Sequence, residues 1–150
     1  AEREAILRIP RDPAQLATDV LQMRQRMHEG HPNPTSNFDL KHDEGGMVDI
    51  EFIVQFLVLA HAHRHPALTR NAGNIGLLRV AGELGLVPAA LAVDVADAYR
   101  DFRRLQHAVR LTGAAHARVD AAPETARRAA VTDLWIPVFG APWSEPAAGP

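Results

Sequence analysis

The sequence predicts an all-α fold, a bundle of five or six helices with a long loop before a central buried helix. Three observations predict it. Apolar residues recur at spacings of three and four in several segments, the period of one helix face. Alternating strand patterns are nearly absent. Proline and glycine fall between the periodic segments, where helices begin and end.

The elements follow in order. AEREAILRI, residues 1–9, reads as the middle of a helix with no start signal, so the chain is expected to be a piece of a longer protein. Asp12 and Pro13 form a helix start, a capping residue followed by proline at the first helical position. Leu16, Val20, Met23 and Met27 then form one apolar stripe, and Gly30 and Pro32 stop the helix. Residues 30–45 are rich in Pro, Asn and Gly and read as loop, with Phe38-Asp39-Leu40 a short extended piece. A helix from Met47 to about His65, ending before Pro66, is apolar almost all round and is therefore the central one. Asn71–Gly73 is a turn. The next helix covers about Asn74–Leu84 and closes at Gly85. Pro88 opens the longest helix, to about Thr112, with the stripe Leu91, Val95, Ala98, Phe102, Leu105 and Val109. Pro123 opens a last helix to about Trp135. Residues 1–140 are read as one domain and 141–150 as a flexible tail.

Composition narrows the function. With 47% hydrophobic and 23% charged residues the chain has the make-up of a soluble globular domain. A net charge of −2 argues against nucleic acid as a partner. Without cysteine there is no disulfide and no thiolate metal site, and a cytoplasmic location is expected. The longest apolar run, Phe52–Ala60, contains Gln55 and is too short to span a membrane.

The chemistry concentrates in Phe38–Leu59. Lys41 stands beside the Gly45-Gly46 turn at a helix start, a place where backbone N–H groups and a cation can hold an anion. The other reading of Lys41 is a loop lysine paired with Asp39, Asp43 or Glu44. Asp49 and Glu51 open an otherwise buried helix, so their charges need partners. Two residues apart on a helix, they lie about 200° apart around its axis and cannot share one metal ion. They are expected to pair with arginines or lysines or to face another domain, and Gln55 should share the face of Glu51. His61 and His65 have the spacing of zinc ligands but lack an acidic third ligand nearby, so they read as cations at a helix end, and no metal site is expected. His28 and His31 flank a helix stop and rank lower. Arg100, Arg103, His107 and Arg110 form a basic ridge opposite the stripe of the longest helix, either a solvated face with Asp94, Asp97 and Asp101 as local partners or a partner surface. No Ser-His-Asp set, P-loop or dinucleotide fingerprint is present, and no residue is assigned a catalytic role.

The same residues carry a family resemblance. Phe38-Asp39-Leu40-Lys41, Gly45-Gly46-Met47-Val48-Asp49-Ile50-Glu51-Phe52 and Gln55 resemble the signature of the helical domain that follows the nucleotidyltransferase domain in glutamine synthetase adenylyltransferases; PII-uridylyltransferases have a looser relative of it. Pro10-Arg11-Asp12, Met23-Arg24, Leu59-Ala60-His61, His65-Pro66-Ala67-Leu68, Ala98-Tyr99-Arg100, Arg103, His107 and Trp135 extend the match over roughly residues 1–140. The chain departs from the pattern at His42, Asp43 and Glu44, where members often carry another glycine, and the two added carboxylates weaken an anion cradle. The resemblance implies a whole enzyme that transfers AMP from ATP, with Mg²⁺, to a tyrosine of glutamine synthetase, and usually removes it with a second nucleotidyltransferase domain. It implies regulation by PII protein and glutamine. It implies that this domain supports the adjacent nucleotidyltransferase domain or docks partners, that Lys41 reaches a nucleotide phosphate, that the fragment alone is inactive, and that the adenylylating half precedes it. The alternatives are a non-catalytic helical interaction module and the helical domain of a PII-uridylyltransferase.

Overall fold

The computed structural model describes residues 2–70 and 72–143. Six helices carry the fold: α1 (Glu2–Leu7), α2 (Pro13–Glu29), α3 (Met47–His61), α4 (Asn74–Glu83), α5 (Ala89–Leu111) and α6 (Thr125–Phe139). Short 3-10 turns at Pro66–Thr69 and Ala122–Glu124 precede α4 and α6. A two-residue antiparallel ladder joins β1 (Phe38–Asp39) to β2 (Arg118–Val119), in the register Phe38 to Val119 and Asp39 to Arg118.

α3 is the centre because nearly every side of it is apolar. Ile50, Ile53, Val54, Phe56, Leu57 and Ala60 are all buried, and α2, α4, α5 and α6 each pack against it. α4 and α5 pack together more extensively than any other pair of the described helices. Gly82 allows it: a Cβ there would stand 3.2 Å from the Ala89 Cα, so the glycine inside α4 serves packing.

Four helices differ from expectation, α2 and α5 in their buried faces and α3 and α6 in their boundaries. α2 starts as expected, with the Asp12 carboxylate accepting from the Ala14 N–H. Its buried stripe is displaced, however: Met23 is 52% exposed and Arg24 is 2% exposed. α3 ends a turn early, at His61; Ala62 caps it, and His65, held extended by the proline after it, lies beyond the helix. α6 begins two residues after Pro123 and runs past Trp135, through Pro137, to close at Gly140, whose φ is 77°. Pro137, inside the last turn, has no N–H to donate, so the Asp133 carbonyl loses its helical partner there. In α5 the buried face is wider than the six-residue stripe and includes Ala92, Ala96 and Tyr99.

Asn71 and residues 144–150 lie outside the described residues, so neither the start of the Asn71–Gly73 turn nor most of the expected tail is placed. Trp143, assigned to that tail by sequence, is placed, and it docks on α3. Among the described residues no helix is long and apolar enough to cross a membrane.

Candidate functional site

The two carboxylates at the start of α3 meet different fates. Asp49 is completely buried. Arg24 of α2 reaches it across the core, its Nε donating to Asp49 Oδ1 and its Nη2 to the His42 carbonyl at 2.8 Å. The Gly45 N–H donates to Asp49 Oδ2 at 2.7 Å, and the Trp143 indole N–H to Oδ1 at 2.9 Å. The Arg24 guanidinium also lies 5.1 Å from the Trp143 ring, and the His28 ring meets that ring edge-on at 4.9 Å. Burial pushes the Asp49 carboxyl above its ordinary range, against the opposing pull of Arg24, Gly45 and Trp143. A carboxylate so enclosed holds the fold and is closed to a ligand.

The loop between β1 and α3 is wound on its own side chains. Asp39 Oδ1 accepts from the N–H groups of Lys41 and His42, at 3.0 and 2.9 Å. Asp43 Oδ2 accepts from the Asp39 N–H at 2.9 Å and from Asn33 at 2.8 Å. Asp43 is thereby turned inward, away from any anion. Arg128 of α6 donates to the Glu44 carbonyl at 2.9 Å and stacks 4.3 Å from the Phe38 ring.

The glycine pair is explained by this packing. Gly45 has φ 81°, and a Cβ there would stand 2.9 Å from the Arg128 Cβ. A Cβ at Gly46 would stand 2.7 Å from the Leu40 carbonyl oxygen. Their N–H groups are already used: Gly45 donates to Asp49, Gly46 to the Asp43 carbonyl at 3.0 Å, Met47 to Leu40 at 2.8 Å and Val48 to Lys41 at 3.0 Å. An anion at this helix start meets the Lys41 side chain and no unpaired N–H among these four.

Glu51 emerges on the opposite, exposed side of α3, with Gln55 on the same face. Its partner among the described residues is a phenol; the sequence leaves open a cation or another domain. The Tyr99 hydroxyl donates to Glu51 Oε1 at 3.2 Å and accepts from Asn74 Nδ2 at 3.1 Å. Burial, then the neighbouring Glu51 charge, pushes the Tyr99 hydroxyl above its ordinary pKa, so it remains a donor.

These residues wall a cleft. A cavity of about 480 Å³ is lined by Lys41, Glu51, Tyr99, Arg103, Gln106 and Arg110, among others. A smaller one of about 210 Å³ shares Lys41, Gln106 and Arg110 and reaches Asp39 and His116. The basic ridge of α5 therefore divides. Arg103 and Arg110 turn into the cleft, with Arg103 also 6.0 Å from the Tyr99 ring. Arg100 pairs with Asp97 at 2.7 Å, outside it. His107 is exposed and lines neither cavity. His61 and His65 share no continuous helix, and among the described residues no group of three or more His, Asp or Glu is placed to hold a metal ion.

Sequence reasoning gave no site role to Arg24, Tyr99, Asn74, Gln106 or Trp143, although Arg24 and Tyr99 stand at positions that match the family pattern. For Arg24 a signal existed: four residues after Val20, it continues the buried face of α2 one step beyond Met23. Tyr99, Arg103, Gln106 and Arg110 follow at spacings of four, three and four, so one face of α5 was legible once the tyrosine was included.

The family model of the GlnD PII-uridylyltransferase matches residues 14–123. The chain is similar to enzymes named bifunctional glutamine synthetase adenylyltransferase/adenylyl-removing enzyme. That of Ralstonia nicotianae is 59% identical over 140 residues, covering 93% of this chain and 15% of the relative. That of Aromatoleum aromaticum is 54% identical over 137 residues, 90% and 14%. That of Burkholderia mallei is 52% identical over 141 residues, 94% and 15%. The chain thus spans about a seventh of the length of these relatives.

The geometry sets the expected cost of substitutions at the buried ion pair and at the glycines. Arg24→Met should destabilise the chain by about 3–5 kcal/mol, because it leaves a buried carboxylate without its cation. The loss in Arg24→Met with Asp49→Leu should be smaller than the sum of the two single losses. Urea denaturation of the four proteins measures both. Gly45→Ala should cost about 3 kcal/mol, since the left-handed backbone and the Arg128 contact both oppose it. Gly85→Ala, at φ 74° with nothing within 4 Å of the added Cβ, should cost only about 1 kcal/mol.

Proposed function

The chain belongs to the GlnD PII-uridylyltransferase family, and from that premise we propose that it is the helical domain of a bifunctional glutamine synthetase adenylyltransferase/adenylyl-removing enzyme. The observation that carries this reading is identity of 52–59% to such enzymes over at least nine-tenths of the chain. In this reading a nucleotidyltransferase domain of the same protein transfers AMP from ATP to glutamine synthetase in the cytoplasm. PII protein is the regulatory partner. The family description also names a uridylyltransferase, which is the second reading; Asp49-Ile50-Glu51-Phe52 and the names of the relatives favour the first.

The role of this domain is to complete the nucleotidyltransferase site from outside. Magnesium does not fit its described residues: Asp49 is enclosed by Arg24, Gly45 and Trp143, and Glu51 stands on the other side of α3. In this proposal the metal belongs to the catalytic domain, where it would draw charge from the transferring phosphoryl group. Lys41 is the residue proposed to reach a nucleotide phosphate, as a point charge on a flexible stem. Gly45 and Gly46 serve it indirectly by fixing the loop. Asp39 and Asp49 hold that loop, and Glu51 with Gln55 faces the neighbouring domain. Arg100 and His107, outside the cleft, remain for a protein partner.

Two measurements test the reading. Labelled ATP incubated with glutamine synthetase and the 150-residue chain alone should leave no label on the synthetase; clear labelling above background overturns it. In the full-length enzyme, Lys41→Ala should lower the transfer rate about tenfold, the loss of one charge-assisted phosphate contact. Its urea midpoint should stay unchanged, because the side chain is exposed. Unchanged kinetics would reduce Lys41 to a loop charge.

A further inference from the structure

We propose that the cleft between the start of α3 and the outer face of α5 is a binding site for a phosphoanion chain. Its ligand is two or more linked phosphoryl groups held by Lys41, Arg103 and Arg110. The proposal rests on the reading of Lys41 as a phosphate contact and extends it to a site that this chain forms by itself.

The first argument is pairing. Three other arginines of α5 and α6 have acidic neighbours. Arg100 meets Asp97 at 2.7 Å, Arg104 meets Asp101 at 3.7 Å, and Arg127 meets Glu124 at 2.8 Å. The chain has 18 acidic residues for 16 basic ones, so carboxylates are not scarce. Yet among the described residues none forms an ion pair with Lys41, Arg103 or Arg110, the three cations that share one cavity. Like charges converging in a concavity repel one another and focus a positive potential there, against the net charge of the whole.

The second argument is the state of the nearby carboxylates. Glu51, the one acid among the described residues that line the larger cavity, already accepts the Tyr99 hydroxyl. Asp39, in the smaller cavity, accepts two backbone N–H groups and faces Arg118 at 3.8 Å. Neither is oriented by the three cations, which leaves those cations to an outside anion. Gln106, on the wall of both cavities, adds a neutral donor.

The third argument is spacing. Arg103 and Arg110 are two helical turns apart, about 10 Å along α5. Lys41 approaches the same face from the loop. A di- or triphosphate has the length and the charge to engage both arginines together with Lys41. Arginine suits it because its planar fork grips phosphate oxygens in pairs. A concave site of about 480 Å³ also favours a compact anion over the acidic surface of a folded protein.

The test is calorimetric titration of the 150-residue chain with inorganic triphosphate, pyrophosphate, orthophosphate and ATP, all without metal, and with a decamer of glutamate. Triphosphate should bind at least about tenfold tighter than orthophosphate, since its linked phosphoryl groups offer the three cations more oxygens and more charge than a single phosphate does. Lys41→Ala, Arg103→Ala and Arg110→Ala should each weaken it about tenfold. Arg103→Lys should recover part of the loss. Arg100→Ala, already paired with Asp97, should change it less than about twofold. Equal binding of ATP and triphosphate identifies the phosphate chain as the whole ligand; tighter ATP adds a nucleoside contact to the same site. The proposal is overturned if no phosphoanion binds, if Arg100→Ala weakens binding as much as Arg103→Ala, or if only the glutamate decamer binds. Parallel kinetics separate it from the reading of the parent enzyme. If Lys41→Ala abolishes triphosphate binding by the chain but leaves transfer unchanged, the site stands and the nucleotide contact during transfer falls; the reverse pattern overturns the site.

Discussion

The ion pair between Arg24 and Asp49 is the constraint on which the rest of the structure depends. Two opposite charges have been taken out of water, which is expensive unless every remaining donor and acceptor is engaged. Here most are. The carboxylate receives Arg24, the Gly45 N–H and the Trp143 indole; the guanidinium also holds the His42 carbonyl. Four separate pieces of chain are thereby fixed to one point: α2, the loop before α3, α3 itself and the segment after α6. An apolar pair would fill the same volume, but it would not select one position for the loop. The directionality of the hydrogen bonds does that.

The loop so placed decides what the surface can do. Because Asp39 and Asp43 satisfy the loop's own N–H groups, the loop holds its shape without borrowing the Lys41 side chain. Because Gly45 and Gly46 have no side chains, the loop lies against α6 and brings Lys41 over α5. The lysine then faces Arg103 and Arg110 across the cleft. The cationic character of the site is thus a consequence of acids being used internally a few residues away.

α3 separates two jobs by helical geometry alone. With about 3.6 residues per turn, acids two positions apart face different ways. Asp49 points to α2 and the core, Glu51 to Tyr99 and the cleft. One short segment therefore carries both the anchor of the fold and part of the wall of the site, which is why its sequence is so dense in charge, glycine and apolar residues at once.

Much of this was legible in the sequence, and the division has a physical cause. The 3.6-residue period, the Asp12-Pro13 start and the all-round apolarity of Phe52–Ala60 determined the helices, their order and the central one, because these are local properties of backbone and solvent. The opposite orientation of Asp49 and Glu51 followed from the same period. Tertiary structure alone decided the partners. Arg24 counted as polar and was set outside the stripe, although its stem and head are buried by a carboxylate 25 residues away. Trp143 was read as tail, yet it bonds to Asp49 across 94 positions. Glu51 found a phenol 48 residues on, and the basic ridge of α5 was divided by whether a local aspartate stood within reach. Periodicity reports which side of an element faces inward; it holds no information about which distant side chain arrives there, because that is set by how the helices pack.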